Sequence, residues 1–416
     1  MSNKKKLSAE PYKGVRDFYP EDQAFLNYFL ETCRNFVEKV GYVEYHASIL
    51  EPAELYKAKG AENEEMVSEQ TYTFTDRGGR EVTLRPEMTP TVARMVSAKR
   101  RELGFPLRWY SIPNVFRYER PQRGRLREHW QLNVDLFGSR SPYADAEMLG
   151  LAYGLMSAFG AKESDFVIKV GSRGFLDSLT QQLGLDAEQG KKLRRLLDAK
   201  NKMGGTEFRA GLGELGLSES QVLSAPPPED IRKIIAEMSD AGIRNIEWDP
   251  AIVRGFDYYT GIVFEVFDTH PENNRALFGG GRYDKLTELF DDEPLPGVGF
   301  AAGDATIHNF LEVRNLLPAY APPTHVYIAI PSEDFALEAQ TFAGELRRQG
   351  VNVAVDFGEK KLGDQIKAAG KHSIPYLIVL GENELASGKF VVRNLASGEE
   401  KELAKKELAS FFLNSQ

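Results

Sequence analysis

The feature that most constrains this chain is a break. The segment LLPAYAPPT, ending at Thr324, places three prolines in nine residues. Proline lacks a backbone N–H and fixes its own φ, so neither a helix nor a central strand runs through such a stretch. Beyond it the pattern resets. HVYIAIP reads as a buried strand, Phe335 to Gln349 as a helix, VNVAVDF as a strand and Lys361 to Lys371 as a helix. IPYLIVLG and KFVVRN read as further strands, followed by a terminal helix from Lys401. Strands alternating with helices predict a separate α/β domain of about 90 residues with a mainly parallel sheet. The expected division is residues 1–318, a linker at 319–324, and a second domain at 325–416.

Before the break the signals differ. From Pro20 to Val40 the residues Phe25, Leu26, Phe29, Leu30, Cys33, Phe36 and Val37 recur at helical spacing, and Gly41 ends the run. YVEYHASIL has strand character. TYTFTD, EVTLRP and Leu107 to Phe116 read as strands, with Gly78-Gly79 as a hairpin turn between the first two. Gln131 to Phe137 alternates like another strand, and Asp145 to Gly160 reads as a second strong helix. Strands are expected again at Ala251–Val253 and Gly261–Phe267. Hairpins interrupted by helices predict an α+β core with an antiparallel sheet. A stretch rich in Leu, Ala, Lys and Glu at about 175–245, broken at Pro226-Pro227-Pro228, reads as a helical insertion.

Composition excludes more than it selects. Of 416 residues, 52 are Lys or Arg and 61 Asp or Glu, a net charge of −9, so bulk charge gives no hint of a nucleic-acid partner. One cysteine, Cys33, excludes an internal disulfide and any multi-thiolate zinc site, in keeping with a reducing, cytoplasmic setting. The basic start MSNKKKLSAEPYKG lacks the apolar run of a signal peptide, and Met148 to Ala161 is too short to span a bilayer, so no membrane association is expected. The six histidines show no metal-ligand spacing, and neither HExxH nor GxSxG occurs.

The charge is unevenly distributed. Between Lys99 and His129 nine Lys/Arg face three glutamates, a surplus of six, and arginines crowd FRYERPQRGRLREHWQ around Pro121 and Gly124. Arginine forks match phosphate oxygens, and a flexible basic loop suits a polyphosphate or a nucleic-acid end; a solvated basic hairpin explains the clustering equally well. In IVRGFDYYTGIVFEVF, Arg254, Asp257, Tyr258 and Tyr259 sit between apolar strand-like runs, where they need either a ligand or one another. FGGGRYDKL carries a triple glycine that allows close backbone approach but lacks the lysine of a P-loop. In TLRPEMTP, Arg85, Glu87 and Thr89 cluster before a helix start, where capping is the simpler reading.

Taken in order, LRPEMTP, FRYERPQRGR, REHWQLNVDLFG, VRGFDYYTG, GGGRYD and GVGFAAGD resemble the histidyl-tRNA synthetases, class II aminoacyl-tRNA ligases, from KGVRDFYP to the last helix. The resemblance implies an antiparallel catalytic sheet, a homodimer built partly through GYVEYHASILEP, and a C-terminal anticodon-binding α/β domain. It implies ATP with Mg²⁺, L-histidine and tRNA(His) as substrates, with histidyl-adenylate as intermediate. Arg117 and Arg254 match the arginines that grip the α-phosphate from two sides. Glu87, Met88, Thr89, Arg117, Gln131, Asp135, Arg254, Tyr258 and Tyr259 match the histidine-binding set, Asp135 and Tyr259 reading the imidazole. A buried acceptor left unpaired by a wrong amino acid rejects it on the order of 10⁴-fold. Glu119, Arg125, Arg127 and His129 match ATP-binding positions, and Arg123 and Arg125 fall in the loop used on the tRNA acceptor end.

Three departures from the family pattern are visible. Gly303-Asp304-Ala305-Thr306 stands where Gly-Leu-Glu-Arg is usual, so Thr306 replaces an arginine that contacts the γ-phosphate; Arg123 or Mg²⁺ is expected to compensate. His129 replaces a phenylalanine that stacks on adenine, and Asp135 replaces a longer glutamate. The altered Gly303–Thr306 segment also leaves room for a second reading, a non-catalytic regulatory subunit of ATP phosphoribosyltransferase. Such subunits typically lack the C-terminal domain and the arginine that Arg254 matches.

Overall fold

One strand organises the larger unit. In Glu128–Phe137 the residues Leu132, Val134 and Leu136 are fully buried on one side of the sheet, while His129, Gln131, Asn133 and Asp135 turn to the other. Burying each of those aliphatic side chains stabilises by about 1.5–3 kcal/mol, enough to fix the strand's register against a one-residue slip.

The computed structural model describes residues 7–58, 70–120, 123–200, 203–253, 258–273, 275–291, 293–357 and 359–414. It divides into two units, Met1–Leu317 and Pro318–Gln416. In the first, the strands are β1 (Val43–Glu44), β2 (Leu50–Pro52), β3 (Tyr72–Thr75), β4 (Glu81–Leu84), β5 (Leu107–Ser111), β6 (Asn114–Phe116), β7 (Glu128–Phe137), β8 (Phe166–Ser172), β9 (Ile246–Trp248), β10 (Ile262–Asp268), β11 (Ala276–Arg282) and β12 (Gly297–Gly303). The main sheet runs β1-β5-β7-β12-β11-β10-β8-β9, with β6 also on β7. Its central pairings are antiparallel, as expected, but both edges, β1 on β5 and β9 on β8, are parallel. A small antiparallel sheet, β2-β4-β3, stands apart. Its hairpin turns on Asp76, whose Oδ1 accepts from Gly78 N and Arg80 N, and on Gly79 at φ +79°.

The helices Pro20–Lys39, Pro142–Ala158, Glu229–Asp240 and Asp304–Val313 cover one face of the main sheet. Their apolar stripes join Leu132, Val134, Leu136, Phe264, Phe278 and Phe300 in one core. The opposite face carries a smaller cluster with Thr89–Lys99, in which Met88, Val92 and Val96 pack with Phe137, Val263 and Tyr283. The helices Arg173–Gln182, Ala187–Ala199, Gly205–Glu214 and Glu219–Leu223 build their own core around Leu193, Phe208 and Leu212.

Two expected strands fail for identifiable reasons. Leu107–Phe116 is not one strand but β5 and β6, because Pro113 has no N–H to give; its carbonyl still accepts from Gln131 N at 2.9 Å. Ala251–Val253 forms no strand. Ala251 and Val253 are drawn into the helical insertion's core and Ile252 into the cluster around Tyr283, so packing consumes the apolar run.

The second unit has β13 (Val326–Ala329), β14 (Val353–Val355), β15 (Tyr376–Val379), β16 (Lys389–Asn394) and β17 (Glu400–Ala404), in the order β14-β13-β15-β16-β17. The sheet is mixed rather than mainly parallel: β13 pairs parallel with β14 and β15, then two antiparallel pairings follow. The terminal helix starts at Lys405 because residues 400–404 zip onto β16 first. Helix Leu362–Lys371 is pinned by the fully buried Gln365. Its amide donates to Ile330 O and Lys360 O at 2.8 Å and accepts from Ile330 N at 3.0 Å. Gln365→Leu strands the Ile330 groups and is expected to cost about 2–3 kcal/mol. Hydrogen exchange should show β13 and β15 opening sooner and β7 unaffected; equal protection in both proteins contradicts this.

Candidate active site

To one side of β7, on its polar face, the strands β12 and β11 present almost no side chains. Gly303 pairs with Gln131, Ala301 with Asn133 and Gly299 with Asp135; across the next pairing lie Gly279 and Gly281. Residues directly opposite on paired strands share a face, so these small residues form a floor. Two of the glycines are sterically required. A Cβ on Gly299 would lie 2.4 Å from Val134 O and 2.6 Å from Asp135 Oδ1, and one on Gly281 would lie 2.8 Å from the Tyr259 ring. The glycine run thus serves the close approach its sequence allowed.

Above the floor is a cavity of about 260 Å³. Of the residues singled out from sequence, Glu87, Thr89, Arg117, Glu119, Arg125, His129, Gln131, Tyr258 and Tyr259 line it, although they come from three separate stretches of chain, 87–89, 117–131 and 258–259. Thr89 opens the helix Thr89–Lys99, directing it at the cavity. Tyr56, fully buried, donates to the Glu87 carbonyl at 3.1 Å and shares a 3.0 Å bond with Thr91 Oγ1, so the turn before that helix is held from behind. Tyr258 Oη donates to Glu87 Oε2 at 3.1 Å, and its ring lies 4.7 Å from that of Tyr259. Arg117 Nε donates to Pro86 O at 2.8 Å, and Arg125 stands 3.4 Å from Glu119.

Four residues differ from expectation. Met88 is wholly buried in the cluster beside the site and does not line the cavity; its backbone forms the turn, and its side chain serves packing. Arg127 also lies outside the lining. Its guanidinium sits 3.9 Å from the centre of the Tyr118 ring, and it donates to Tyr12 Oη at 3.0 Å and to Glu119 O at 3.2 Å, so it staples the loop instead of facing the cavity. Arg123 is directed to Glu312 at 3.4 Å and Glu272 at 3.9 Å, half-exposed and off the cavity wall. Asp135 lies behind the lining, screened by Tyr283, whose hydroxyl donates to Asp135 Oδ1. Arg254 and Asp257 lie outside the described residues. Thr306 reaches the cavity, but its hydroxyl donates to Leu277 O at 2.6 Å and to Gly303 O at 3.0 Å, satisfying backbone.

Tyr283, Asn133 and Glu265 also line the cavity and were not assigned a role from sequence. The period-2 alternation of β7 that exposes Gln131 and Asp135 also exposes Asn133, and Tyr283 closes the GGGRYD motif. Glu265 reaches the cavity only because β10 pairs it with Gly279, a long-range fact.

Electrostatically the site is divided. Burial, with Arg117 and Arg16 nearby, lowers the His129 imidazole to about 3, so it stays neutral. Burial raises the Asp135 carboxyl to about 7, the Tyr283 bond opposing and Glu87 adding to the rise. Three buried polar atoms without a hydrogen-bond partner among the described residues share this face of β7: His129 Nδ1, Gln131 Oε1 and Asp135 Oδ2. Buried polar atoms are rarely left so, and their concentration beside a cavity marks a ligand site. Among the described residues no group of three or more His, Cys, Asp or Glu could hold a metal ion.

The comparisons with known proteins follow the same division. Residues 325–415 match the anticodon binding domain model. A sheet with a glycine floor under arginines, joined in one chain to an anticodon-binding unit, defines an aminoacyl-tRNA ligase. Residues 14–306 match the histidyl-tRNA synthetase model, and the histidine–tRNA ligase of Leptospira biflexa is 42% identical over 414 residues, covering 94% of each chain. The chain belongs to the histidyl-tRNA synthetase family. The crystal structure of histidyl-tRNA synthetase from Nostoc shares the fold, with a TM-score of 0.82 at 24% identity, covering 99% of this chain and all of that one. So does a Bacillus halodurans chain described as an ATP phosphoribosyltransferase regulatory subunit/histidyl-tRNA synthetase, with a TM-score of 0.72 at 24% identity, covering 88% of this chain and 97% of that one.

The raised Asp135 carboxyl has a stability consequence. In the unfolded chain a carboxyl of this type titrates near 3.9, roughly, so between about pH 4 and 7 the folded protein binds the extra proton. The stability associated with Asp135 is therefore present below pH 4 and lost as pH rises through 7. Melting of wild type and Asp135→Asn from pH 4.5 to 8 should show the wild type losing ground to the variant; a constant difference contradicts this. Separately, Gly299→Ala should abolish histidine binding in calorimetry by forcing Asp135 and Tyr283 apart, and unchanged affinity would contradict the floor.

Proposed function

We propose that the cavity seats histidine and ATP side by side, and that the chain joins L-histidine to tRNA(His) through histidyl-adenylate. The observation that carries this reading is the row of unpaired buried polar atoms above a side-chain-free floor. Asp135 Oδ2, behind the Tyr283 side chain, is the proposed acceptor for an imidazole N–H, and Tyr259 is a phenol on the cavity wall able to donate or accept. Glu87, Thr89 and Gln131 are suited to an ammonium, being a carboxylate, a hydroxyl and an unpaired amide oxygen.

In the first step the histidine carboxylate attacks the α-phosphorus, and the bond to pyrophosphate breaks. The attacking group is already an anion, so the protein's task is alignment and neutralisation of phosphate charge. Arg117, fixed by Pro86 O, supplies a fork at the cavity wall, and Arg254 is its proposed counterpart. Glu119 accepts from the adenine amino group, and the neutral His129 ring stacks on the base with less area than a phenyl ring offers. Magnesium enters with the nucleotide as part of the substrate; with Glu119 given to adenine and Glu87 to the ammonium, Glu265 is the further carboxylate on the wall. In the second step a terminal ribose hydroxyl of the tRNA attacks the histidyl carbonyl and AMP leaves. Arg123 and Arg125 are proposed to meet the acceptor end, and the second unit the anticodon. The active form is proposed to be a homodimer acting in the cytoplasm. No helix among the described residues is long and apolar enough to cross a membrane.

A second reading, the regulatory subunit of ATP phosphoribosyltransferase, draws on the Bacillus halodurans fold likeness and on Thr306. Identity of 42% to a histidine–tRNA ligase across both units favours the ligase. ATP–pyrophosphate exchange decides between them. Exchange should require histidine and fall by on the order of 10³-fold in Arg117→Ala, the loss typical of one transition-state donor. Histidine binding without exchange in the wild type supports the regulatory reading.

A further inference from the structure

The segment from Tyr12 to Phe18 lies across the start of β7, anchored at one end to the arginine-rich loop and at the other to Trp130 on the core side of the strand. Gly14 O accepts from Arg127 N at 2.7 Å, and Tyr12 Oη accepts from Arg127 Nη1. Phe18 packs edge-on against Trp130, ring centres 5.1 Å apart. Between these anchors, Arg16 Nη2 pairs with Asp304 Oδ2 at 2.6 Å, its guanidinium 4.8 Å from the centre of the Phe18 ring.

Asp304 joins two walls. It is completely buried, its Oδ1 accepts from Trp130 N at 2.9 Å, and it opens the helix whose next residues, Ala305 and Thr306, line the cavity. Trp130 follows His129, which lines the cavity from the other side. The carboxylate therefore ties the strand that carries His129 to the helix that carries Thr306. A fully buried carboxylate is sustained only by a partner cation or by taking up a proton. Among the described residues, the ion pair given for Asp304 is with Arg16, a residue 288 positions away in sequence.

We infer that Arg16, delivered by the Tyr12–Phe18 strap, is a positioning residue of the nucleotide subsite: by pairing with Asp304 it sets the spacing between His129 and the Gly303–Thr306 turn, and so ATP affinity. The inference rests on the reading of that side of the cavity as the ATP subsite. A purely structural ion pair would contribute to folding and treat both substrates alike. A positioning pair on one side of the cavity acts chiefly on the nucleotide, because Tyr56 holds the Glu87 carbonyl and Glu87 holds Tyr258 without Asp304; of the amino-acid set, Gln131 alone adjoins the Trp130 amide that Asp304 binds.

The test is titration calorimetry of MgATP and of histidine, with steady-state exchange kinetics, on wild type, Arg16→Ala, Arg16→Lys and Phe18→Ala. Arg16→Ala should weaken MgATP binding and raise the KM for ATP about tenfold, with histidine constants within about twofold; loss of the buried pair lowers the melting temperature as well, so the readout is the difference between the two substrates. Arg16→Lys should recover most of the loss, because it restores a cation to Asp304. Phe18→Ala, which loosens the strap without uncovering the charge, should raise the KM for ATP alone by a smaller factor. Unchanged ATP constants in Arg16→Ala overturn the inference. So does a parallel loss for ATP and histidine with lowered melting temperature, or no recovery with lysine. Should Arg16→Ala fail to fold, unchanged ATP constants in Phe18→Ala overturn it. Wild-type protein that binds MgATP but exchanges no pyrophosphate counts against the ligase reading instead, and the Arg16 result is then read from binding.

Discussion

The structure depends on one strand having two incompatible jobs. β7 must bury Leu132, Val134 and Leu136 against the helices, and the same register then commits His129, Gln131, Asn133 and Asp135 to the opposite face. Burying four polar side chains there is costly unless something pairs with them, and on the β12 side the strands do not help: they offer Gly299, Ala301, Gly303, Gly279 and Gly281. Hydrophobic packing on one side thus fixes an array of polar groups over a bare floor on the other. The site is rigid because it shares its backbone with the core.

Charge follows the same logic at a larger scale. The chain is acidic overall, yet its arginines have local uses that the sum conceals. Arg117 and Arg125 face the cavity, Arg127 is stapled between Tyr12 and Tyr118, and Arg16 neutralises a carboxylate in the interior. An acidic body with a basic loop limits nonspecific attraction to nucleic acid while keeping a local point of engagement.

Much of this was legible in the residues. The proline break separated two units, helical spacing identified Pro20–Lys39, and the ordered motifs picked out nine residues that line one cavity. Apart from the break at Pro113, what escaped reading was nonlocal. Arg125 and Arg127 sit two apart in one loop, and Tyr12, more than a hundred residues earlier, joins Tyr118 and Glu119 in turning Arg127 away. The Ala251–Val253 run looks like a strand until the insertion's helices claim it. Tyr283 was visible within its motif, but its bond to Asp135 requires β11 and β7 to be brought together through β12. Asp304 looked like a departure from a pattern; its partner Arg16 makes it a junction.

The central claim is that the unpaired atoms of the β7 face are ligands for histidine. A crystal structure with histidine bound tests it most directly. The imidazole N–H should lie about 3 Å from Asp135 Oδ2, with the ammonium near Glu87 and Gln131 and the carboxylate toward Arg117. Histidine bound elsewhere, or seated in the cavity with Asp135 Oδ2 and Gln131 Oε1 still unpaired, would contradict the account.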